Sequence, residues 1–364
     1  MKSWKFDAHS GLFSVNGYGI MEIRLPEREE GKGRNEDMEQ VIIIGAGPCG
    51  LAAAVECKRA GIDPLLIEKG PLVNSIYRYP TYMIFHSTPE LLEIGDIPFT
   101  TANEKPTRLE ALNYYRLVAS RNDLRVRCYE TVTAAERTEV GFRLTTVDRF
   151  QTVKTYECRR LIIATGYFDN PNRLGVPGED LPKVSSFYKE AHPYSGMKVA
   201  VVGGNNSAVD AALELERAGA DVTVICRKPQ LSDHVKAWTR PVFESMVQKG
   251  RIRILYEATV QAITEREVLV RQGEKTLTLE NDFVFSLIGF RPDRSLLHAL
   301  GGKTDPESGV PVHDPETMET NVPGLYIAGV IASGHHANAI FIENGRFHGK
   351  LIARHLAGQL RSEG

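Results

Sequence analysis

The chain has 364 residues, of which 42% are hydrophobic and 25% charged, and its formal net charge is −2 at pH 7. This length suggests two or three domains, and the near-neutral charge gives no electrostatic reason to expect nucleic acid or an anionic membrane as partner. The five cysteines are widely spaced without a CxxC pair and no apolar run is long enough to span a membrane, which predicts a cytoplasmic protein without a disulfide framework.

Residues 1–39 are predicted to be a flexible tail. Residues 26–40, PEREEGKGRNEDMEQ, are almost all charged, polar, Gly or Pro, so they cannot bury enough apolar surface to fold alone. The first apolar strand follows this segment directly.

The next unit, VIIIGAGPCGLAAAVECKRAGIDPLLIEKG at 41–70, has the order strand, glycine turn, helix, strand that a dinucleotide site requires. Gly45 allows the tight turn, Gly47 lets the main chain approach a pyrophosphate, and Gly50 permits close packing of the helix. The helix N-terminus offers unpaired N–H groups to the anion. Glu68, at the end of the second strand, suits ribose hydroxyls and would repel a 2′-phosphate, so this copy predicts FAD or NAD.

An insertion separates this unit from the strands that complete the first domain. It contains YRYPTYMIFHSTPELLEIG and then the pair Thr107 and Glu110, which predicts a capping box at the start of an amphipathic helix. We expect the insertion to shape the substrate side. The alternating strand pattern that begins at Leu124 predicts a β-meander ending in LIIATGY.

The same unit recurs at 199–228 without a gap, at a constant offset of 158 residues. Gly203 and Ala208 fit the pattern, whereas Asn205 replaces the middle glycine and brings a side chain that could crowd the phosphates. The acid of the first copy is absent here, and Arg227 and Lys228 follow the strand. Two cations at this position favour NADPH over NADH, although solvated surface cations are the alternative explanation.

The repeat predicts an α/β fold with two Rossmann-like domains, each with a β-meander insert. A strand and a final helix follow the second repeat, so the chain returns to its first domain. The predicted domains are a discontinuous FAD-binding domain, 40–190 and 291–364, and an NADPH-binding domain, 191–290.

Three further motifs, ATG at 164–166, GFRPD at 289–293 and PGLYIAG at 323–329, give the chain its family resemblance. With the two dinucleotide units, it resembles the thioredoxin-reductase-like branch of the two-dinucleotide flavoprotein disulfide reductases. GAGPCGL, the insertion and AIFIENGRFHG make it similar to the bacillithiol disulfide reductases within that branch, over residues 41–357.

The resemblance implies an NADPH-dependent FAD oxidoreductase that reduces a small-molecule disulfide in thiol redox homeostasis, as a homo-oligomer without nucleic-acid or membrane partners. It implies these cofactor-binding residues: for FAD, Gly45, Gly47, Pro48, Gly50, Glu68, Lys69, Val132, Ala164, Thr165, Gly166, Gly329, Ala339 and Ile340; for NADPH, Gly203, Asn205, Ser207, Ala208, Arg227 and Lys228.

Cys49 is the cysteine best placed for chemistry. It lies in the first turn of the predicted FAD helix, where the helix dipole favours a thiolate and the negative FAD pyrophosphate would raise the pKa of the thiol. The resemblance assigns the single redox cysteine to this position. The alternatives are a flavin-tuning role and a small residue that fills the turn, as Ser207 does in the second copy. The segment SSFYKEAHPYSG before the second turn holds no cysteine, so a CxxC relay is excluded there.

Other functions stay open at this point. A flavin monooxygenase, a ferredoxin-type NADP reductase and a non-catalytic FAD/NADPH redox sensor share the two-dinucleotide pattern.

His335 and His336 precede a helix predicted to begin near Asn338. Arginines that suit substrate carboxylates are Arg78, Arg291 and Arg346. No cluster has metal-ligand spacing.

Overall fold

The computed structural model describes residues 5–7, 12–14, 38–335, 337 and 339–363. The chain divides into two units, Met1–Asp37 and Met38–Gly364. In the first unit, β1 (Lys5–Asp7) pairs antiparallel with β2 (Leu12–Ser14). The other residues of the predicted tail, up to residue 37, lie outside the described residues.

The second unit begins with the strands and helices of the first dinucleotide repeat. In chain order they are β3 (Glu39–Ile44), α1 (Pro48–Arg59), β4 (Leu65–Glu68), α2 (Asn74–Arg78), α3 (Pro89–Leu92), α4 (Arg108–Arg121), β5 (Arg125–Cys128), β6 (Glu130–Arg137), β7 (Phe142–Asp148) and β8 (Val153–Ile163).

The second repeat and its meander follow. They comprise β9 (Val184–Ser185), a 3₁₀-helix (His192–Tyr194), β10 (Lys198–Val202), α5 (Asn206–Arg217), β11 (Asp221–Ile225), α6 (Arg240–Gln248), β12 (Ile252–Leu255), β13 (Ala258–Ile263), β14 (Glu267–Gln272), β15 (Lys275–Glu280) and β16 (Phe283–Ser286). The chain ends with α7 (Ser295–Ala299), β17 (Leu325–Ile327), a 3₁₀-helix (Gly329–Ala332), α8 (Ile342–Gly345) and α9 (His348–Glu363).

The first sheet has seven strands in the order β5-β4-β3-β8-β7-β6, with β17 paired to β8. The C-terminal half of β8 lies parallel between β3 and β17, and its N-terminal half continues the antiparallel meander with β7. All four residues of β4 are buried, as expected of a parallel strand covered on both faces.

The second sheet is entirely parallel, in the order β12-β11-β10-β16-β9, and β13-β14-β15 form a separate antiparallel sheet. The two predicted Rossmann-like folds with meander inserts are therefore present. β9, which the predicted limits put in the first domain, extends the edge of the second sheet, and Leu174 and Leu181 pack in its core. The chain thus joins the second sheet well before residue 190. The functional division into FAD and NADPH domains stays a prediction.

The first core combines residues from 41–164 with residues from 297–356, so the first domain is built from two separate parts of the chain. The predicted capping box is also present. Thr107 Oγ1 accepts a hydrogen bond from Glu110 N at 3.3 Å, and Glu110 Oε2 accepts one from Thr107 N at 2.8 Å. No helix in the described ranges is long and apolar enough to cross a membrane.

Candidate functional site

Both glycine turns open on one continuous cavity of ≈ 3430 Å³. Of the predicted cofactor-binding residues and Cys49, Gly50, Ala208 and Ala339 do not line this cavity, and all the others do. Of the three candidate arginines, Arg291 lines it and Arg78 and Arg346 do not. Gly50 and Ala208 are buried in their helices, which agrees with a packing role.

The first turn has the geometry of an anion cradle. Gly45 has φ +105°, and a Cβ there would lie 2.5 Å from the carbonyl oxygen of Ala164, so the turn requires glycine at this position. At Gly47, the N-cap of α1, a Cβ would meet no protein atom within 4 Å. The protein itself does not fill the space in front of Gly47, and this opening at a helix N-terminus fits the pyrophosphate of a dinucleotide.

Glu68 is buried at the end of β4 and supports the turn from behind. Its Oε2 accepts a hydrogen bond from Ala46 N at 2.8 Å, and its Oε1 accepts one from Gly70 N at 3.1 Å. Burial raises the pKa of the carboxyl, and these two bonds oppose the rise. Each carboxylate oxygen keeps a further lone pair, so binding of a ribose hydroxyl remains compatible with this arrangement.

Lys69 and Arg78 are tied to the same acid. Lys69 Nζ lies 2.9 Å from Asp169 Oδ2, and the Arg78 guanidinium is bonded to the other oxygen of Asp169. Arg78 also lies 4.1 Å from the centroid of the Phe187 ring. Both cations therefore have an acid partner, but two positive charges share one carboxylate, so this cluster keeps a net charge of +1.

Of the other two arginines, Arg346 donates to the carbonyl oxygens of Glu90 (2.8 Å) and Glu93. It therefore closes the C-terminal end of α3 instead of meeting a ligand. Arg291 is exposed and lines the cavity.

Cys49 is seated between two glycines at the second position of α1. A Cβ on Gly329 would lie 2.9 Å from the Cys49 sulfur, and a Cβ on Gly345 would lie 3.0 Å from it. These two glycines leave the space that the thiol occupies. Burial raises the pKa of the Cys49 thiol to about 12, although part of the residue remains accessible. Burial of the thiol therefore opposes the thiolate that the helix dipole favours.

The second turn differs from the first at its N-cap. Asn205 has an extended backbone, and its side-chain oxygen accepts a hydrogen bond from Asn206 N at 2.9 Å. The side chain therefore caps α5 and takes one of the N–H groups that a glycine would leave to a phosphate. Ser207, in the position equivalent to Cys49, is exposed.

Arg227 and Lys228 follow β11 after one residue, Cys226, at the carboxyl edge of the second sheet. Both are exposed and line the cavity, and across residues 38–363 as described neither forms a salt bridge. They are available to a 2′-phosphate, and the same observations fit solvated surface cations.

The remaining predicted residues come from the first domain, and Ala164 and Gly329 among them lie against the first glycine turn. Val132 is on β6, and the segment 164–166 follows β8 directly. Gly329 has φ +80°, and its N–H donates to Nδ1 of His348 at 3.1 Å.

The helix predicted near Asn338 begins later than expected. Ile340 precedes α8, whose first helical residue is Ile342. His336 and Asn338 lie outside the described residues. His335 is exposed, and its N–H donates to Ser308 O at 2.8 Å.

Among the cavity-lining residues that sequence reasoning missed are Tyr79, Asn206 and Lys236. Tyr79, in the insertion, packs against Phe168 with ring centroids 4.8 Å apart, and burial raises the pKa of its hydroxyl. Asn206 and Lys236 lie beside the second turn. The aromatic run around Tyr79 was a usable signal, whereas nothing in the sequence placed Lys236 next to α5.

The described part of the chain holds neither a metal-ligand cluster nor a disulfide bond. It contains no group of three His, Cys, Asp or Glu side chains that could hold a metal ion. All five cysteines are free.

Comparison with known proteins agrees with this architecture. Bacilliredoxin reductase Bdr of Bacillus subtilis (strain 168) is 52% identical over 320 residues, which are 88% of this chain and 98% of that protein. A ferredoxin–NADP reductase of Ignicoccus hospitalis is 30% identical over 302 residues, 81% of this chain and 90% of that protein. The structure of bacillithiol disulfide reductase Bdr (YpdA) from Bacillus cereus matches with a TM-score of 0.87 and 48% identity, over 89% of this chain and 100% of that one.

The family described as pyridine nucleotide-disulphide oxidoreductase matches residues 42–329. The fold class and the family resemblance predicted from the sequence are confirmed by these similarities. The chain belongs to the pyridine nucleotide-disulphide oxidoreductase family.

Proposed function

We propose that this protein is an NADPH-dependent FAD enzyme that reduces the disulfide of a low-molecular-weight thiol of the bacillithiol type. The balanced reaction is NADPH + H⁺ + RSSR → NADP⁺ + 2 RSH. The observation that carries the proposal is a single cavity onto which two phosphate-binding turns open, with a cysteine seated in the first turn.

The first turn and its surroundings would hold FAD. Gly45 and Gly47 leave the main chain open to the pyrophosphate, Glu68 accepts the adenosine ribose hydroxyls, and residues 164–166 with Gly329 border the space beyond. When bound, FAD supplies two-electron chemistry between a nicotinamide and a disulfide. The protein contributes binding, orientation and exclusion of water.

The second turn would hold NADPH. The N-terminus of α5 receives the pyrophosphate, and Arg227 and Lys228 pair with the 2′-phosphate. Their exposure and lack of salt-bridge partners within the described residues support this assignment, because no internal acid competes with the phosphate.

Cys49 is proposed as the redox residue. Its sulfur attacks one sulfur of the substrate, so that a Cys49–substrate disulfide forms, the substrate S–S bond breaks and the leaving thiolate takes a proton. Release of the second thiol needs two electrons, which the overall reaction takes from NADPH. Because the pKa of the thiol is raised to about 12, Cys49 must lose its Sγ proton in the substrate-bound state before it can attack.

The direct test is NADPH oxidation by the purified protein with three disulfides side by side: bacillithiol disulfide, glutathione disulfide and oxidised thioredoxin. The proposal predicts sustained turnover with bacillithiol disulfide and much slower turnover with the other two. Absence of turnover with bacillithiol disulfide, in protein that carries FAD and is reduced by NADPH, would contradict the proposed substrate.

A ferredoxin-type NADP reductase is the second candidate, supported by the relative in Ignicoccus hospitalis with which this chain shares 30% identity. It predicts electron transfer to a one-electron acceptor protein and no disulfide turnover. A flavin monooxygenase would consume oxygen with an organic substrate, and a redox sensor would be reduced once by NADPH without sustained consumption.

We also propose a cytoplasmic homo-oligomer without nucleic-acid partners. The near-neutral charge supports the absence of nucleic-acid partners and the unpaired cysteines support a reducing compartment, whereas the homo-oligomer rests on the family resemblance alone. Size-exclusion chromatography with light scattering tests the oligomeric state, and a mass equal to the monomer would contradict it.

A further inference from the structure

Lys236 is a nearly buried cation beside the second glycine turn. It lies in the loop between β11 and α6, and its side chain is 11% exposed. The residue lines the cavity together with Gly204, Asn206 and Ser207. A long cationic side chain is seldom this sequestered unless it serves a fold or a ligand.

Hydrogen bonds hold the loop that carries Lys236 against the second glycine turn. Asn206 Oδ1 accepts a hydrogen bond from Lys236 N at 3.1 Å, and Asn206 Nδ2 donates to His234 O at 2.9 Å. Ser232 N donates to Gly204 O at 2.8 Å. The main chain at Lys236 is thereby fixed next to the first residue of α5.

The charge of Lys236 has only weak partners among the described residues, namely Asp210 and the Trp238 ring, whose centroid lies 5.7 Å from Lys236 Nζ. Its nearest acid is Asp210, and the two atoms, Lys236 Nζ and Asp210 Oδ2, are 3.7 Å apart, beyond hydrogen-bonding distance. Burial and the charge of Glu214 raise the pKa of Asp210 to about 6, and burial lowers the pKa of Lys236 to about 8. Burial therefore disfavours the charged form of each group, and their separation leaves the ammonium without a direct hydrogen bond to this acid.

The second turn offers a phosphate fewer free backbone N–H groups than the first turn does. Asn205 stands in place of the middle glycine, and its side chain already accepts the N–H of Asn206. One fewer backbone donor is left for an anion at this helix N-terminus. An ammonium placed beside the turn can supply a charge-assisted hydrogen bond instead.

We propose that Lys236 binds the pyrophosphate of NADPH and that Arg227 and Lys228 serve the 2′-phosphate alone. On nucleotide binding, Lys236 Nζ would contact a phosphate oxygen instead of Asp210. The fold thus positions this cation beside the turn before the nucleotide binds. The inference rests on the proposed NADPH dependence and assigns a separate residue to each phosphate group.

The competing explanation is that Lys236 only stabilises the fold through Asp210. Under that explanation, loss of the charge lowers the melting temperature and affects every nucleotide fragment alike. Under the proposal, the effect depends on whether the ligand contains the pyrophosphate.

The experiment is isothermal titration calorimetry on the FAD-loaded protein with two ligands, NADP⁺ and 2′-AMP, which lacks the pyrophosphate. The K236M variant should bind NADP⁺ about 10- to 100-fold more weakly and 2′-AMP within about twofold of the wild type. The double variant R227A/K228A, as matched control, should weaken both ligands. D210N should bind NADP⁺ as tightly as the wild type or more tightly, because it releases Lys236 from its acid.

Unchanged NADP⁺ affinity in K236M, or an equal loss for 2′-AMP, would overturn the inference. If D210N weakened NADP⁺ binding as much as K236M does, the Lys236–Asp210 pair would be shown to support only the fold. If the wild type itself binds no NADP⁺, the proposed function fails before the role of Lys236 is reached. FAD content and melting temperature, measured for each variant, identify any loss that comes from unfolding.

Discussion

His348 is predicted to make the protein sensitive to mild acid. Its Nδ1 accepts the N–H of Gly329 at 3.1 Å, which requires the neutral ring at this nitrogen. Burial, with a smaller contribution from His313, lowers the pKa of His348 from 6.5 to about 4. Protonation would remove the acceptor for Gly329 and place a charge in a largely buried site.

The size of the effect follows from proton linkage. The unfolded chain takes up the His348 proton near pH 6.5 and the folded chain only near pH 4, so the stabilisation is complete above 6.5 and is lost as pH falls towards 4. Between about pH 7.5 and about pH 5, a shift of this size lowers the free energy of unfolding by about 2 kcal/mol.

The assay is urea unfolding of the wild type and H348Q at these two pH values. Glutamine keeps an acceptor for the Gly329 N–H and does not titrate, so H348Q should lose about 2 kcal/mol less stability than the wild type on acidification. H192Q, at an exposed position, is the control and should behave as the wild type does. Equal acid-induced losses in the wild type and H348Q would refute the reasoning.

Four further variants test separate parts of the account. R227A/K228A should reduce the preference for NADPH over NADH about 10- to 100-fold in kcat/KM of flavin reduction. An unchanged preference would show that these two side chains do not contact the 2′-phosphate and are only solvated. G47A should fold normally, because its Cβ meets no protein atom within 4 Å, but should retain less FAD by absorbance after gel filtration. G45A is the contrasting case and should melt at a lower temperature, since its φ is +105°. T107A removes one half of the capping box of α4 and should cost about 1 kcal/mol in urea unfolding without changing cofactor binding.

The sequence predicted the features that depend on local pattern. Apolar strands around glycine turns, a constant repeat offset and an acid at Glu68 specify two dinucleotide folds, because each step of that order has its own steric or electrostatic requirement. The capping box at Thr107 was equally readable, since both of its hydrogen bonds form within four residues.

Features that depend on distant contacts could not be read in this way. The protonated state of Cys49 follows from its burial against Gly329 and Gly345, which are hundreds of residues away, whereas the helix N-terminus alone suggested a thiolate. The pairing of Arg78 with Asp169 and the position of Lys236 beside α5 likewise arise only when separate segments meet.

The measurement that tests the central claim most directly compares two half-reactions in the wild type and C49A. The account predicts that C49A keeps FAD, is reduced by NADPH at the wild-type rate in stopped-flow experiments, and loses steady-state reduction of bacillithiol disulfide. C57A, a change in the buried core, is the control and should retain both reactions. Reduction of bacillithiol disulfide by C49A at the wild-type rate would contradict the account, because electrons would then reach the substrate without the thiol of Cys49.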